Sequence, residues 1–234
     1  MRPLTDTDQS NQTLGLKVIA VIPAYNESKR IASVLQEVAK YTDTVIVVND
    51  GSTDDTALIA RENQAYVIDL KENKGAGNAT REGCLEAIYL GADIILTIDA
   101  DGQHDPREIP RLLQPLIHED IQIVFGGRPR NPSMPIENRL GNHLLSKTSS
   151  VLLGITILDT LTGFRAFHAS VFEGIVWQSN RYSFVSEMVF RMAKSQLRFK
   201  EVPVSTIYHD NKKGMRKRDG IKTLFLLFWW KIAC

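Results

Sequence analysis

The sequence has few cysteines and no large excess of charge of either sign. Its 234 residues include two cysteines, Cys84 and Cys234, which are too few for a disulfide framework. Cys84 falls in a segment of helical character, so we expect a buried structural thiol and a reducing, cytoplasmic environment. The formal net charge is +1, whereas nucleic-acid-binding domains are strongly basic, so nucleic acid is not an expected partner.

Long hydrophobic runs are also missing. No run reaches the roughly 18 apolar residues that a membrane-spanning helix needs, so any membrane contact is expected to be peripheral. Residues 1–16 are polar and lack the basic start and apolar stretch of a signal peptide, and we expect them to be a disordered lead-in. With 43% hydrophobic and 24% charged residues, the composition is sufficient for one globular core.

What the sequence does contain is an alternation of short apolar runs with helical periodicity. Strands are predicted at residues 17–23, 44–48, 66–70, 93–98 and 121–125, and helices at 31–38, 54–63, 78–90 and 106–118. Strands that alternate with helices form parallel sheets covered by helices. The pattern therefore predicts the α/β class, with a mostly parallel central sheet flanked by helices, in one catalytic domain over residues 17–208.

The rhythm changes after residue 128, where three prolines within eight residues predict an irregular loop. Beyond it, an apolar stripe predicts a long helix over residues 140–155. A strand at 163–168, a helix at 184–194 and a last strand at 199–204 complete the predicted domain.

Polar clusters follow three of the predicted strands. They are P-A-Y-N-E at residues 23–27, N-D-G-S at 49–52 and D-A-D-G-Q at 99–103. Ligands of open parallel sheets gather at the carboxyl ends of the strands. We therefore expect the three clusters to converge on one crevice.

Asp99 and Asp101 are candidate metal ligands. If the strand continues through them, both carboxylates lie on the same side, and a divalent cation relieves their repulsion. Carboxylate and amide oxygens suit Mg²⁺ or Mn²⁺, which complete their shell with substrate phosphates. The alternative is that D-A-D-G only forms a turn, since Asp and Gly are turn formers.

The glycine-rich segment 73–77 carries less information. Its backbone amides would suit a phosphate, but the start of a helix explains the glycines as well. It lacks the third glycine of a dinucleotide fingerprint, and the chain has no G-x-x-x-x-G-K-[ST] motif. A dehydrogenase and a P-loop ATPase are therefore disfavoured.

Together these motifs resemble the family 2 glycosyltransferases, specifically the dolichol-phosphate mannosyltransferase and polyprenyl-phosphate glycosyltransferase branch. The resemblance runs from about residue 18 to 222, through V-I-P-A-Y-N-E-S, V-V-N-D-G-S-T-D-D-T, N-K-G-A-G-N, T-I-D-A-D-G-Q-H-D-P, G-G-R, D-T-L-T-G-F-R and R-D-G-I-K. It implies a single GT-A domain, the nucleotide-diphospho-sugar transferase fold. N-D-G-S stands where mannosyltransferases often have D-D-G-S, so no sugar is assigned.

The resemblance also implies roles for individual residues. Those for nucleotide-sugar binding are Pro23, Tyr25, Glu27, Asp50, Asp99, Ala100, Asp101, Arg218 and Lys222. Those for Mg²⁺ or Mn²⁺ are Asp99, Asp101 and Gln103. Asp101, Arg128 and Arg139 are implied in catalysis, and Arg128, Arg139 and Glu187 on the acceptor side. The alternatives are a solvated surface arginine for Arg139 and an exposed helix glutamate for Glu187.

The implied reaction is inverting transfer of a sugar from a GDP- or UDP-sugar to a polyprenyl or dolichyl phosphate. A sugar or glycolipid hydroxyl is an alternative acceptor and would require a general base such as Glu187 or Asp105. The Q-x-x-R-W element of processive synthases is absent. A sugar nucleotidyltransferase would have a glycine-rich first loop, and a non-catalytic nucleotide-sugar-binding subunit is disfavoured by the intact D-A-D-G-Q.

Residues 209–234 combine a basic stretch with an apolar one. Six lysines and arginines against two aspartates precede L-F-L-L-F-W-W at residues 224–230. Basic residues followed by interfacial aromatic and leucine residues predict an anchor on the cytoplasmic face of a membrane. The alternative is that this segment packs on the domain, in a homodimer or against a membrane partner.

Overall fold

A seven-stranded sheet is the centre of the fold. The computed structural model describes residues 15–127, 154, 155, 157, 162–181, 183–205, 207, 226 and 229. Within these residues the strand order is β3-β2-β1-β4-β6-β5-β7. Every neighbouring pair is parallel except those of β6, which runs antiparallel to both β4 and β5. The predicted α/β class with a mostly parallel sheet is confirmed.

The elements follow the predicted alternation. The strands are β1 (Val18–Ala24), β2 (Thr44–Asn49), β3 (Tyr66–Asp69), β4 (Ile94–Thr97), β5 (Ile123–Gly127), β6 (Arg165–His168) and β7 (Phe199–Pro203). The helices are α1 (Ile31–Val38), α2 (Thr56–Glu62), α3 (Ala76–Tyr89), α4 (Ile109–His118), α5 (Phe172–Ile175) and α6 (Phe184–Lys194), with 3₁₀ turns at Pro106–Glu108 and Ala169–Val171. The sequence pattern does not predict α5 or the second 3₁₀ turn.

Both faces of the sheet are buried, which explains why β1 is continuously apolar. Ala20 and Ile22 belong to the core beneath α1 and α4, whereas Ile19 and Val21 belong to the core beneath α3 and α6. A strand covered on both faces by helices has no solvent-facing positions and therefore shows no polar alternation. Leu16, in the predicted lead-in, packs against the first of these cores.

Several sequence predictions fall partly or wholly on residues that the structure does not describe, among them the proline-rich loop after residue 128 and the C-terminal segment 209–234. Residues 1–14 lie outside the described residues, and so does most of the helix predicted at 140–155. None of the helices within the described parts of the chain is long and apolar enough to cross a membrane.

Helix α3 lies unusually close to the sheet. A Cβ on Gly83 would be 2.4 Å from Val21 Cγ1 and 2.9 Å from Val48 Cγ2. The next residue, Cys84, is fully buried, and burial raises the pKa of its thiol to about 12. The predicted structural thiol is therefore confirmed, and the glycine before it allows the helix to approach β1 and β2.

We expect Gly83→Val to lower the free energy of unfolding by about 1–3 kcal/mol, because the added side chain overpacks a filled core. Urea unfolding monitored by circular dichroism measures the change. Leu85→Ala is the control on the same helix, since Leu85 is 48% exposed and its truncation creates no closed cavity. A stability of Gly83→Val equal to that of the wild type would contradict the close approach.

Candidate active site at the carboxyl ends of the strands

The three polar clusters meet at one edge of the sheet. Strands β2, β1 and β4 are adjacent and parallel, so the residues that follow them emerge side by side. The chain proceeds outward from β1 through β2 to β3, and β4 then pairs with the other side of β1. In doubly wound sheets such a reversal of strand order marks the crevice at which ligands bind.

Hydrogen bonds join the first two clusters directly. The amide of Asn26 donates to Ser52 Oγ at 3.0 Å, and Asn26 Oδ1 accepts from the amide of Thr53 at 2.8 Å. Asn26 has a left-handed backbone, with φ of 55°. The amide of Glu27 donates to Thr56 Oγ1 at 2.8 Å, so the loop after β1 is fixed to the start of α2.

Asp54 closes the same junction with its carboxylate. It accepts hydrogen bonds from the amides of Ser28 and Thr56 and from the Thr56 hydroxyl. Burial alone would raise the pKa of this carboxyl, but these hydrogen bonds lower it to about 2. Asp54 therefore stays negatively charged at neutral pH. The loop after β1 (residues 25–28) and the loop after β2 (residues 50–55) are joined by these hydrogen bonds into one continuous wall.

The residues assigned to the nucleoside occupy this wall in different ways. Pro23 and Ala24 complete β1, and the Tyr25 side chain beyond them is 46% exposed. Glu27 is 9% exposed and lies 3.8 Å from Arg30, measured from carboxylate oxygen to guanidinium nitrogen. The Tyr25 ring is therefore accessible from outside the protein, whereas Glu27 is largely enclosed.

Asp50 holds the glycine-rich segment 73–77 by hydrogen bonds to its backbone. Its two carboxylate oxygens accept hydrogen bonds from the amides of Lys74 and Gly75, each at 2.8 Å, and the residue is 3% exposed. Asp50 thus joins the end of β2 to the loop before α3. Its nucleoside contact stays a prediction.

The glycines of segment 73–77 allow backbone to pass against backbone. A Cβ on Gly75 would be 2.5 Å from the carbonyl oxygen of Asn180, and one on Gly77 would be 2.4 Å from that of Ser179. The amide of Asn78 donates to the same Asn180 carbonyl at 3.1 Å. These glycines are therefore required for contact with segment 177–181. The sequence had suggested only phosphate binding or the start of a helix as reasons for them.

The D-A-D-G-Q cluster forms a turn and not an extension of β4. The strand ends at Thr97, and Gly102 adopts a left-handed conformation with φ of 70°. Asp101 accepts from the Gln103 amide at 3.0 Å and from Gln103 Nε2 at 2.7 Å, which closes an Asx turn. The strand does not continue through Asp99 and Asp101, so the condition for placing both carboxylates on one side is not met. The alternative of a turn is what the structure has, with Asp101 bonded to Gln103.

This acidic turn, residues 99–103, contains oxygen ligands of the kind that a hard divalent cation prefers. Asp99 and Asp101 supply carboxylates and Gln103 an amide, within five consecutive residues that also include Ala100, which is buried. No group of three His, Cys, Asp or Glu placed to hold a metal occurs in the described ranges. Two carboxylates in an open turn fit Mg²⁺ or Mn²⁺, which complete their coordination with phosphate oxygens and water.

Glu187 is buried, so the alternative of an exposed helix glutamate is wrong. It is 4% exposed, and its carboxylate accepts from the amides of Gln178 and Ser179, both at 2.9 Å, and from Arg191 Nε at 3.0 Å. Burial would raise the pKa of this carboxyl, but the hydrogen bonds from Ser179, Gln178 and Arg191 outweigh burial and lower it. Glu187 therefore holds the segment that contacts Gly75 and Gly77, a function that sequence pattern alone does not reveal.

Trp177 strengthens the same contact. Its Nε1 donates to the carbonyl of Gly77 at 2.7 Å, and its own carbonyl accepts from Arg81 at 3.2 Å. Sequence reasoning missed this residue, since a single tryptophan between two elements gives no periodic signal.

Four predicted site residues lie outside the described residues: Arg128, Arg139, Arg218 and Lys222. Arg128 follows Gly127, the last residue of β5. Asp105 is described, and its carboxylate accepts three hydrogen bonds from the Arg107 guanidinium and one from the Arg107 amide. Hydrogen bonds from Arg107 lower the pKa of Asp105.

A mostly parallel sheet whose strand order reverses beside an acidic, metal-compatible turn is typical of α/β enzymes that bind nucleotides. Residues 19–176 match the model of Glycosyl transferase family 2. The chain belongs to that family and is a glycosyltransferase.

Similar proteins cover most of the chain. A UDP-N-acetylglucosamine–dolichyl-phosphate N-acetylglucosaminyltransferase from Methanococcus voltae is 34% identical over 92% of this chain and 96% of its own. An undecaprenyl-phosphate mannosyltransferase from Micrococcus luteus is 29% identical over 88% of each. The crystal structure of glucosyl-3-phosphoglycerate synthase from Mycobacterium tuberculosis with Mn²⁺, UDP-glucose and phosphoglyceric acid has a TM-score of 0.75 at 24% identity, covering 97% of this chain and 85% of that one. The last confirms the GT-A fold.

Glu187→Gln is expected to lower the free energy of unfolding at pH 7 by about 1–3 kcal/mol, because a buried carboxylate loses charge-assisted hydrogen bonds. The lowered pKa means that the stabilisation is present above the ordinary value of 4.5 and is lost as the pH falls through the folded-state pKa. The difference between wild type and variant, measured by urea unfolding from pH 7 to pH 4, should therefore shrink below about pH 4.5.

Glu173→Gln is the matched control, since Glu173 is an exposed glutamate on the neighbouring helix α5. It should leave stability unchanged across this pH range. A stability difference for Glu187→Gln that stays constant with pH would show that the charge of this carboxylate is not what holds segment 177–181.

Proposed function

We propose that this glycosyltransferase transfers a sugar, with inversion, from a nucleotide-diphosphate donor to a polyprenyl or dolichyl phosphate. The observation that carries the acceptor class is the similarity, over nearly the whole chain, to an enzyme named for dolichyl phosphate. A second relative is named for undecaprenyl phosphate. The acidic turn at the crevice supplies the site for the donor diphosphate.

In this proposal the donor lies along the wall formed by the loops after β1 and β2. The exposed ring of Tyr25 offers a stacking surface for the base, and Pro23, Glu27 and Asp50 shape the pocket around the nucleoside. Asp99, Ala100 and Asp101 face the ribose and the diphosphate. UDP and GDP donors both satisfy this arrangement, since no described contact distinguishes the two bases.

The two aspartates and Gln103 would hold Mg²⁺ or Mn²⁺ at the diphosphate. When bound, the cation neutralises the charge that grows on the leaving nucleoside diphosphate. The mycobacterial structure of the same fold contains Mn²⁺ and a UDP-sugar. The carboxylates orient the donor so that its anomeric carbon faces the acceptor, whose oxygen forms the new bond as the bond to the diphosphate breaks.

A phosphate acceptor needs no base from the protein. The second pKa of a phosphate monoester is about 6, so most of it is dianionic and nucleophilic at neutral pH. Arg128 and Arg139 are proposed to bind this dianion and the donor phosphates, with Arg218 and Lys222 closing over the donor. Strand β5 ends one residue before Arg128 and runs in the same direction as β4, so it ends at the edge of the sheet where the acidic turn lies, which favours this role.

A hydroxyl acceptor would require a general base with a pKa near neutrality. Asp105 and Glu187 are the two carboxylates considered for that role, and hydrogen bonds lower the pKa of both. Both side chains are also held by arginines, Arg107 and Arg191. These contacts favour the phosphate acceptor, with Glu187 supporting the acceptor side through segment 177–181.

The direct test is incubation of the protein with a panel of GDP- and UDP-sugars, a short polyprenyl phosphate and Mg²⁺ or Mn²⁺, with product masses measured. We expect a polyprenyl-phosphate sugar with one donor class. Chelation of divalent metal should abolish transfer reversibly, and Asp101→Asn should reduce it by at least about 100-fold, since the leaving diphosphate loses its charge partner.

Asp120→Asn is the control, because Asp120 is 84% exposed and pairs with Arg198 on the surface. It should keep full activity. Undiminished transfer in excess chelator would remove the metal from the mechanism, and efficient transfer to a free sugar but not to polyprenyl phosphate would replace the proposed acceptor with a hydroxyl.

The C-terminal segment is proposed to bind a membrane surface, where a lipid acceptor resides. The amide of Ile207 donates to the Gln103 carbonyl at 2.8 Å, so the chain passes the acidic turn just before the basic stretch begins. Trp229, in the apolar stretch, is 66% exposed. Basic residues near anionic lipid contribute about 1 kcal/mol each, and tryptophan favours the interface.

Truncation after Lys222 removes the apolar residues and keeps the basic ones. We expect it to reduce sedimentation with vesicles of anionic phospholipid by at least about tenfold, given the apolar area that is lost. Vesicles of zwitterionic lipid alone are the control and should bind both forms weakly. Unchanged sedimentation of the truncated protein would assign the segment to the core or to a dimer interface.

A further inference from the structure

Gly163 lies directly against the side chain of Asp99. A Cβ built on this glycine would be 2.2 Å from Asp99 Oδ2, 2.4 Å from its Cγ and 2.5 Å from its Oδ1. All three nearest atoms therefore belong to one carboxylate. As long as the Asp99 carboxylate stays where it is, only glycine fits at position 163.

The position of Gly163 is itself fixed by hydrogen bonds. Thr97, the last residue of β4, donates from Oγ1 to the Gly163 carbonyl at 2.8 Å. Arg165 Nε donates to the carbonyl of Thr162 at 2.8 Å, and the Phe164 amide donates to Thr162 Oγ1 at 3.2 Å. Thr162 and Arg165 are each 1% exposed, so this turn is anchored in the interior.

Segment 162–165 also contacts the far end of the acidic turn. The ring of Phe164 lies 5.2 Å from that of His104, centroid to centroid, and His104 directly follows Gln103. The Phe164 carbonyl accepts from the Gly126 amide at 2.8 Å, which joins the segment to β5. Segment 162–165 therefore packs against both ends of the acidic turn, at Asp99 and at His104.

We infer that Gly163 is a positioning residue that sets the Asp99 carboxylate for the divalent cation, with Thr97 fixing Gly163 in place. The inference rests on the proposed function, since it concerns the metal of the same site. In this inference Asp99 binds the cation, and Gly163 leaves the space that the Asp99 carboxylate occupies. The hydroxyl of Thr97 holds Gly163 next to the end of β4.

An added methyl group should displace the carboxylate and leave the fold intact. The carboxylate is the end of a side chain that rotates about two bonds, whereas Gly163 is held by the Thr97 hydroxyl. A carboxylate rotated away from Gly163 leaves the position that it has in this structure, and shifts in the groups that orient metal ligands typically weaken metal binding by roughly 10- to 100-fold.

The experiment measures Mn²⁺ binding directly, by the electron paramagnetic resonance signal of free Mn²⁺, with UDP and with GDP present. Gly163→Ala is expected to bind Mn²⁺ roughly 10- to 100-fold more weakly than the wild type. Gly174→Ala is the matched control. A Cβ there would meet only the end of the Ser195 side chain, at 3.3 Å from Oγ, which has to move by a few tenths of an ångström, and its helix is remote in sequence from the acidic turn. Thermal melting without metal checks that each variant is folded.

A second pair of variants tests the same inference without adding volume. Thr97→Val keeps the shape and removes the hydroxyl that holds the Gly163 carbonyl, so Mn²⁺ binding should weaken. Thr97→Ser keeps the hydroxyl and should bind as the wild type does. Weakening by Thr97→Val together with rescue by Thr97→Ser would support the inference even if Gly163→Ala failed to fold.

The outcomes separate this inference from the proposed function. Equal Mn²⁺ binding by folded Gly163→Ala and wild type would overturn the inference alone, and so would equal weakening by Thr97→Val and Thr97→Ser. Absence of Mn²⁺ binding by the wild type with either nucleotide would overturn both the metal site and the inference. Weakened Mn²⁺ binding by Gly163→Ala, combined with a wild type that transfers no sugar to polyprenyl phosphate, would support the inference and overturn the proposed acceptor.

Discussion

Three neighbouring parallel strands end at the same edge of the sheet, and the arrangement of the site depends on this constraint. Because β2, β1 and β4 lie side by side in the same direction, the loops after them share one surface. The apolar strands place those loops, and the loops carry the polar groups. Asp54 and Asp50 then fix the loops to one another, so that hydrogen bonds hold a surface that the hydrophobic core has already positioned.

Glycine has a specific purpose at this surface, which is to let one group lie directly on another. At Gly75 and Gly77 the second group is the backbone of segment 177–181, and at Gly163 it is the carboxylate of Asp99. In each case hydrogen bonds hold the approach. The Gly75 amide donates to the Asp50 carboxylate, Trp177 Nε1 donates to the Gly77 carbonyl, and the Thr97 hydroxyl donates to the Gly163 carbonyl. The absence of a side chain is thus a positive requirement of the geometry.

Much of this architecture could be predicted because it has local causes. Buried strands show as continuous apolar runs, and the observed strand ends differ from the predicted ones by no more than two residues. The contacts of Glu187 and Gly163 could not be predicted, because they join segments that are distant along the chain. The sequence left open whether the strand continues through Asp99 and Asp101 or turns, because strand periodicity does not show where Gly102 reverses the chain.

The buried charges indicate what the site is built to do. Arg165 is 1% exposed, with its guanidinium 5.0 Å from the ring centroid of Phe184 and bonded to the Thr162 carbonyl, and Glu187 is equally enclosed. Both bind backbone and therefore set the shape of the loops. Hydrogen bonds lower the pKa of Asp105 and of Glu187, the carboxylates considered as bases, and a lower pKa makes each a weaker base. Such a site favours an acceptor that is already an anion, and a phosphate monoester meets that requirement.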